Sequence, residues 1–591
     1  MEFLKSIKRE YKYLILIFVL FLLNIVLFNN KMTNLHTDLG RELYYSKFVS
    51  EGGVLYRDMF NTFLCPFSYL FNGLVLKFFS AKFSTFYALG AVNTLVILTC
   101  VFFICKKFLS SFLSCAVTVF VMYYCCFYAG LMNYFLPYSY AMVYGLGACF
   151  VSVFLMLEYL DFCSGRAADC EAKNLSLTST GKSANQSHAK GKNLFLYGAF
   201  FFGGIAFSNK YEFAFYAVLL FLVLFLNREK FLKIIYCALS FLFVPAICFF
   251  ALIFQGLGLS DFYNYFLIFR EFVHQPYLKQ VYATTFFFEP ASVLFLLKTF
   301  AVSLVVFYVL YKFFDTASKK TILSKAGFWI LCAVLLFSAV FSFRAMNFWC
   351  YDFFSYLPLF LAALLIFKIK EIKKDKGLLF LGAAAVLTSL KSFWLLSTNF
   401  YGRYFLPLVL IAAIVVLKRV LYGKNFSGDK NIEAFDRAVC FVLIFLSFAA
   451  FRLNAVALVL KNTPLKTPAG TVMTTKTEAG TYKKLADYIS KNTKNSEKIV
   501  VLSASPMLNF MTDRESLNFY SYFDEAVAGA YTAERIIKKF EQTGPNYFVV
   551  FDSSKEKNAY CGGYGKEICK WLEKNCTLEK NIDGILIYAG K

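Results

Sequence analysis

The sequence predicts a polytopic α-helical membrane protein of about 13 spans, followed by a C-terminal extracytoplasmic α/β domain. Of its 591 residues, 59% are hydrophobic and 20% are aromatic, and the mean hydropathy is +0.58. The apolar residues form long runs between short polar loops, which is typical of membrane spans. After residue 461 the long runs stop, and short helical and strand patterns alternate as in a small α/β domain.

The positive charge of the chain predicts its orientation. The formal net charge is +24, and Lys and Arg cluster in short loops such as Lys106-Lys107 and Lys368–Lys376. Cytoplasmic loops carry such an excess, so the pattern indicates topology rather than nucleic-acid binding. We expect the N-terminus inside, before a first span at Tyr13–Phe28 that lacks a signal-peptide cleavage site. Residues 462–591 are then expected outside.

Residues 1–461 are predicted to form the membrane domain. The apolar runs predict spans at 13–28, 84–104, 109–128, 136–159, 194–208, 213–226, 232–255, 290–311, 326–343, 353–367, 378–396, 404–417 and 438–459. Residues 161–193, which are rich in Ser, Gly, Asn and Lys, predict a disordered cytoplasmic loop. Residues 256–289 predict a long outer loop.

Another long outer loop, residues 29–83, is predicted between the first two spans. Its apolar stripe predicts a helix from Leu39 that stops at Gly52-Gly53, and this helix is expected to lie on the membrane surface. A second amphipathic helix is predicted from Pro66 to Phe79.

In residues 462–591, strands are predicted at 498–502, 547–552 and 585–588, in a small mixed or parallel sheet. Helices are predicted at 480–491, 533–542 and 567–574. Most of the 17 cysteines lie in apolar runs, where a thiol acts as a small hydrophobe, but Cys561, Cys569 and Cys576 leave room for one disulfide. Their spacing fits no zinc pattern, and three histidines exclude a histidine-rich metal site.

Ionisable side chains gather at the predicted outer ends of the spans, where their cost makes them candidates for function. They are Asp38, Arg41, Glu42, Arg57, Asp58, Lys210, Glu212, Arg270, His274, Arg344, Asp352 and Arg403. Several cations together can hold a phosphate, and an acid can take a proton from a hydroxyl. The mixture suits a reaction on a phosphorylated lipid at the outer leaflet.

Several of these residues stand in motifs that resemble a known family. The segments are His36-Thr37-Asp38-Leu39-Gly40-Arg41-Glu42, Leu55-Tyr56-Arg57-Asp58 with Pro66, Asn209-Lys210-Tyr211-Glu212, Gly402-Arg403-Tyr404-Phe405-Leu406-Pro407, and Ser505-Pro506 with Thr512-Asp513-Arg514. The first two resemble the first outer loop of the GT-C membrane glycosyltransferases, and the others are similar too. The resemblance is to the bacterial branch related to protein O-mannosyltransferases and the aminoarabinose transferase of lipid A.

The resemblance implies an enzyme of the cell envelope in the cytoplasmic (inner) membrane. It would be a hexosyl- or pentosyl-type glycosyltransferase of EC class 2.4, with a polyprenyl-phosphate sugar donor and a lipid, glycan or protein acceptor at the outer face. No cofactor and no metal are expected.

The resemblance also assigns roles. Asp38 and Glu42 would be catalytic, with Asp38 as the general base that deprotonates the acceptor hydroxyl. Lys210, Arg403 and Arg344 would bind the donor phosphate, and Arg41, Arg57, Asp58, Glu212 and His274 would support the site. Related enzymes often carry a second acid in the outer turn after span 3, where this chain has Asn133. Either Glu42 or Glu212 substitutes for it, or one acid suffices.

Simpler interpretations remain open for five of these residues. Asp38 would also serve as the N-cap of the helix at Leu39, and Lys210 with Glu212 as an interfacial pair. Arg403 would also fit as a snorkelling residue, and His274 as a loop residue.

At the level of function, the alternatives are a transporter or flippase, or a polymerase or ligase, for lipid-linked glycans. A transporter is expected to carry charges near the bilayer midplane in matching halves. A polymerase or ligase usually has its large outer loop between later spans. This chain has its charges at one face, and its outer residues lie mainly in the first loop and the tail, so the sequence favours the transferase.

Overall fold

The structure is a computed structural model that describes most of the chain. The described residues are 9–35, 38–60, 65–163, 181–276, 298, 301, 305, 308–309, 312, 354–394, 402–422, 430–502, 506–518, 523, 525–551 and 560–590. His36, Thr37, Arg344, Asp352, the predicted span at 326–343 and most of that at 290–311 lie outside them.

Helices dominate the described part of residues 1–461. They are α1 Arg9–Phe28, α2 Leu39–Ser50, α3 Phe67–Phe78, α4 Phe83–Lys106, α5 Ser111–Val121, α6 Tyr140–Cys163, α7 Gly181–Asn209, α8 Ala214–Leu226, α9 Phe231–Phe254, α10 Leu259–Val273, α11 Phe354–Phe367, α12 Ile369–Ile372, α13 Lys376–Thr388, α14 Leu390–Trp394, α15 Arg403–Tyr422 and α16 Lys430–Val459. A π-helix, Met122–Cys126, continues α5, and a 3-10 turn, Tyr211–Phe213, precedes α8.

Six helices in the described part of the chain (α1, α4, α6, α9, α15 and α16) are long and apolar enough to cross a membrane. Each overlaps a predicted span. Shorter apolar helices lie at Ser111–Cys126, Tyr211–Leu226, Tyr356–Phe367 and Lys376–Thr388, and they overlap four more. The architecture is therefore mostly helical, while the full number of spans and their orientation stay predictions.

Two predicted loops differ from the structure. Within the predicted disordered loop 161–193, the backbone is helical from Gly181, and residues 164–180 lie outside the described part. Extending a helix is far cheaper than nucleating one, so the apolar run from Leu194 favours helix upstream as well. Within the predicted loop 256–289, α10 occupies Leu259–Val273 and begins with a bond from the Gly258 backbone N–H to the Asp261 carboxylate, 3.0 Å.

The two first-loop helices, α2 and α3, lie within one or two residues of their predicted bounds. The structure shows that α2 is enclosed by protein, because every residue of α2 except Phe48 and Ser50 is buried. Its position at the membrane surface stays a prediction. Polar side chains on both sides of α2 have protein partners, so the helix is enclosed rather than solvated.

The described part of residues 463–589 contains a hairpin and a four-stranded sheet. The strands are β1 Thr463–Thr467, β2 Gly470–Thr474, β3 Ile499–Leu502, β4 Tyr547–Phe551, β5 Thr577–Ile582 and β6 Ile585–Ala589, and the helices are α17 Lys476–Asn492, α18 Met507–Thr512, α19 Glu525–Tyr531, α20 Ala533–Thr543 and α21 Lys566–Asn575. The sheet order is β3-β4-β6-β5, with β3 parallel to β4 and the other pairs antiparallel. A disulfide joins Cys561 to Cys569.

This C-terminal region packs directly on the first loop. The Met473 N–H donates to the Asn30 carbonyl at 2.7 Å, and the Phe83 N–H donates to the Ala469 carbonyl at 2.9 Å. The Tyr482 hydroxyl donates to the Leu35 carbonyl at 3.0 Å. The first loop therefore lies between the C-terminal region and the apolar helices.

Candidate active site

Asp38 lies at the N-terminal end of α2. Its backbone is helical, with φ −54° and ψ −13°, and its side chain makes no capping hydrogen bond. A helix cap is therefore not what holds this carboxylate in place. Its Oδ1 lies 3.7 Å from Nη1 of Arg41, and its side chain is 22% exposed. This carboxylate beside a buried guanidinium remains accessible to a substrate.

Glu42 is almost completely buried one turn further along α2. Its Oε1 accepts hydrogen bonds from the Tyr69 hydroxyl at 2.7 Å and from Arg41 Nη2 at 3.2 Å, and its Oε2 accepts from the Tyr140 N–H at 3.0 Å. Burial raises the pKa of Glu42, although Arg41 and the hydrogen bonds oppose the rise. Because both oxygens are engaged by protein groups, Glu42 is placed to hold α2 against α3 and the start of α6.

A second cluster, which we call the lysine cluster, consists of Lys210, Glu212 and Lys391 and lies at the turn between α7 and α8. Lys210 Nζ lies 3.3 Å from Glu212 Oε1, and the same oxygen is 2.8 Å from Lys391 Nζ. Burial opposes ionisation of Glu212, but the two lysines outweigh it and hold the pKa of this carboxyl well below its usual range. Glu212 is therefore suited to be a counter-ion rather than an acid–base catalyst near neutral pH.

Cys65 and Tyr69 connect this cluster to Glu42. Burial and the Glu212 carboxylate raise the pKa of the Cys65 thiol to about 12, and Lys210 opposes the rise, so the three groups are neighbours. Tyr69, about one helical turn further along the chain, donates to Glu42. The start of α3 therefore lies between Glu42 and the lysine cluster.

Arg403 is fully buried at the first residue of α15. Its Nη1 donates to the Tyr124 carbonyl at 2.6 Å, in the π-helix. The guanidinium carbon lies 3.4 Å from the ring centre of Tyr128 and 4.2 Å from that of Tyr124. Cation–π contacts of this kind are strongest away from water. The snorkelling interpretation does not fit a side chain enclosed in this way.

The turn after the π-helix lies between Arg403 and Arg41. Tyr128 contacts Arg403, and the Arg41 guanidinium carbon lies 5.8 Å from the ring centre of Tyr138. Asn133 braces this turn: its amide donates to the Gly130 carbonyl at 2.9 Å and its Oδ1 accepts from the Leu136 N–H at 2.6 Å. Asn133 therefore has a structural role here, and Arg41 and Arg403 contact the same turn.

Arg57 and Asp58 form a bidentate pair. Arg57 donates from Nε to Asp58 Oδ1 at 2.9 Å and from Nη2 to Oδ2 at 2.7 Å, and its Nη1 reaches the Gly256 carbonyl at 3.2 Å. Asp58 Oδ2 also accepts from the Val54 N–H at 2.9 Å. The pair thus organises the loop after α2 and ties it to the end of α9.

The His274 side chain makes its described hydrogen bond with α10 and not with Asp38, Glu42 or the lysine cluster. It is exposed just after α10, and its Nδ1 lies 2.7 Å from the Arg270 carbonyl of that helix. Arg344 lies outside the described residues.

Lys391, Tyr69 and Tyr140 were not among the predicted site residues. Lys391 is a lone charge inside the predicted span 378–396, which is itself a signal of function in membrane proteins. Tyr140 contributes only its backbone N–H, which every residue but proline has, so its side chain gives no signal of this contact. Among the described residues, no three His, Cys, Asp or Glu side chains gather as metal ligands would.

No model of a protein family and no curated protein matches the chain by sequence. Among solved structures, ArnT from Cupriavidus metallidurans bound to undecaprenyl phosphate superposes with a TM-score of 0.50 and 11% identity over 97% of both chains. The chain has a GT-C-like fold. The archaeal oligosaccharyltransferase AglB from Archaeoglobus fulgidus, in complex with an inhibitory peptide and a dolichol-phosphate, gives a TM-score of 0.49 at 10% identity over 99% of this chain and 74% of that one.

The GT-C-like fold is that of a multi-pass membrane protein, in agreement with the six apolar helices. Asp38 lies within the first loop of this fold, between helices α1 and α4.

Proposed function

We propose that the protein is a glycosyltransferase that uses a polyprenyl-phosphate-linked sugar and acts at the outer face of the cytoplasmic membrane. The acceptor is a hydroxyl of a lipid, glycan or protein. One observation carries the proposal. In a GT-C-like fold, the accessible Asp38 carboxylate stands beside buried Arg41, which contacts the same turn as Arg403. The solved ArnT structure contains undecaprenyl phosphate, which supports a lipid-phosphate donor.

In the proposed reaction, the acceptor oxygen attacks the anomeric carbon of the sugar. The bond from that carbon to the phosphate oxygen breaks, and the proton of the acceptor hydroxyl moves to Asp38. The leaving lipid phosphate gains negative charge at the moment of bond cleavage. A general base in contact with the hydroxyl speeds such a step by about a hundredfold or more.

Arg403, Lys210 and Lys391 would neutralise the leaving phosphate. Arg403 is held rigidly by Tyr124 and Tyr128, so its charge needs no reorganisation during the reaction. Among the described residues, two lysines of the lysine cluster face one carboxylate, so these three side chains together carry a net positive charge. Arg344 is proposed for the same role on sequence grounds alone. We propose that these cations, rather than a metal ion, stabilise the leaving phosphate.

The disulfide between Cys561 and Cys569 supports the proposed location of the C-terminal region. Disulfides persist in oxidising compartments outside the cytoplasm. Because this region packs on the first loop, Asp38 would be on the same side of the membrane as the disulfide.

Mass spectrometry of envelope lipids, glycans and proteins, from cells with and without the protein, tests the function. In cells without the protein, we expect lipids, glycans or proteins of the envelope to be lighter by the mass of one sugar. The polyprenyl-phosphate sugar should accumulate in the same cells. If no species in any of the three classes loses a sugar, the proposal is wrong. If the protein were a transporter, membranes that contain it would not transfer a labelled sugar from added prenyl-phosphate donor to extracted acceptors.

A further inference from the structure

We propose that the C-terminal region positions Asp38 by clamping α2 through the segment Asp513–Ser516, which we call the clamp. Asp513 and Ser516 contact Lys47 and Tyr44, which lie one turn apart on the same face of α2. Lys47 and Tyr44 are then positioning residues, since neither needs to touch a substrate. The consequence for sugar transfer depends on the proposed function, whereas the order of α2 does not.

The contacts of the clamp are short and specific. Lys47 Nζ lies 2.5 Å from Asp513 Oδ1 and 3.4 Å from Glu51 Oε1. The Ser516 N–H donates to the Tyr44 hydroxyl at 2.7 Å. The Lys47 side chain is only 10% exposed, so its charge is poorly hydrated and depends on these carboxylates.

The clamp is itself rigid. Asp513 has a left-handed backbone, with φ +57°. Arg514, which is buried, donates to the Thr493 side chain and carbonyl at 2.8 Å each, and to the Asn495 side chain at 2.6 Å. The Ile499 N–H of β3 donates to the Glu515 carbonyl at 2.9 Å. The sheet therefore determines where Asp513 and Ser516 lie.

The opposite side of α2 is held by α3 and by the start of α6. Glu42 accepts from Tyr69 and from the Tyr140 N–H, as described above. The Asn72 amide of α3 donates to Ser46 Oγ at 3.3 Å. Helix α3 also comes close at Gly73, where an added Cβ would lie 2.7 Å from Val49 Cγ1. With both sides held, α2 cannot rotate or slide without breaking one set of contacts.

Asp38 lies at the end of this enclosed helix, less than two turns from Tyr44. A helix transmits a shift at one turn to the next with little loss. A misplacement of about 1 Å can cost about a hundredfold in rate. Release of the clamp therefore lowers kcat while leaving donor binding at the lysine cluster largely intact.

A charge-swap series in the full-length protein tests the clamp. The variants are Lys47→Glu, Asp513→Lys and the double variant, and the matched control is Lys484→Glu, which breaks an exposed ion pair with Asp583 in the same region. One readout is hydrogen exchange of the amides of residues 39–50 in detergent or nanodiscs. The other is kcat and donor KM for transfer from labelled prenyl-phosphate sugar.

We expect each single variant to speed exchange in α2 and to lower kcat by about tenfold or more, with donor KM changed less than kcat. The double variant should restore part of both, because the swapped pair re-forms while Glu51 stays close to position 47, and Lys484→Glu should change neither. Unchanged exchange in the single variants, or no restoration by the folded double variant, overturns the clamp. If a single variant does not fold, Tyr44→Phe, which removes only the acceptor of the Ser516 N–H, must speed exchange in α2. If exchange responds as expected but the wild-type protein transfers no sugar, the proposed function is wrong and the clamp stands.

Discussion

Glu42 binds the backbone N–H of Tyr140, 98 residues away in the chain, at 3.0 Å. Tyr140 is the first residue of α6, so the carboxylate faces the N-terminus of an apolar helix, where negative charge is favoured. The contact joins the first loop to the membrane helices next to Asp38. Glu42 is thus better suited to hold the site together than to exchange protons.

We expect Glu42→Ala to lower the free energy of unfolding by about 3 kcal/mol. The substitution leaves the Tyr69 hydroxyl, Arg41 and the Tyr140 N–H without their shared acceptor. Glu42→Gln keeps one acceptor oxygen and should retain a measurable part of the transfer activity. Unfolding in detergent and transfer assays check both variants. A Glu42→Gln protein of normal stability with no activity would instead indicate a catalytic Glu42.

We expect Arg403→Lys to lower kcat by about a hundredfold. A lysine cannot stack between Tyr124 and Tyr128 while donating to the Tyr124 carbonyl, so the charge loses its fixed position. Arg437→Lys, at an exposed ion pair with Glu433, is the matched control. Transfer kinetics with labelled donor measure the effect. Equal kcat values for both variants would show that Arg403 does not stabilise the leaving phosphate.

We expect Lys391→Ala to raise the apparent KM for the lipid-phosphate donor by about tenfold. Lys391 and Lys210 are the cations at Glu212 among the described residues, so removing Lys391 lowers the positive charge of the cluster by one. Lys368→Ala, which removes an exposed lysine paired with Glu371, is the control. Donor titrations distinguish the two variants. An unchanged KM in Lys391→Ala would limit this lysine to a structural role.

The Arg57–Asp58 pair predicts a pH dependence of stability. Burial opposes ionisation of Asp58, but hydrogen bonds from Arg57 and the Val54 N–H outweigh it and lower the pKa of this carboxyl. Below the unfolded value of about 3.9, the unfolded chain binds more protons than the folded chain. The stabilisation is therefore complete above that pH and is lost as the pH falls through the lower, folded-state pKa.

We expect Asp58→Asn to destabilise the protein more at about pH 6 than at about pH 3. Thermal unfolding of both proteins at the two pH values measures the difference. An equal loss of stability at both values would show that the charge of Asp58 does not stabilise the loop.

Local patterns were enough to predict most helices. The apolar stripe from Leu39 and the stop at Gly52, whose φ is +99°, define α2 closely. Other elements were missed because their signals are weak. Helix α10 has only 15 residues and carries Ser, Asp, Asn, Arg and Glu among its apolar ones. The β1–β2 hairpin consists of short strands with one buried face.

The partners within the site were mostly beyond sequence reasoning. Lys391 meets Glu212 across 179 residues, and Arg403 meets the Tyr124 carbonyl across 279. Such pairs depend on how the helices pack, which composition and periodicity do not encode. The burial of α2 was missed for the same reason, since Tyr44 and Lys47 find their partners in the C-terminal region.

Sugar transfer by Asp38→Asn shows whether Asp38 is the general base. The substitution keeps the shape of the side chain and removes its capacity to accept the proton, and no capping bond is lost. Transfer is measured in membranes from cells that make either variant, with Asp583→Asn, an exposed carboxylate of the C-terminal region, as control. We expect Asp38→Asn to insert like the wild type and to lose transfer by at least about a hundredfold. Normal transfer by that variant would show that Asp38 is not the general base.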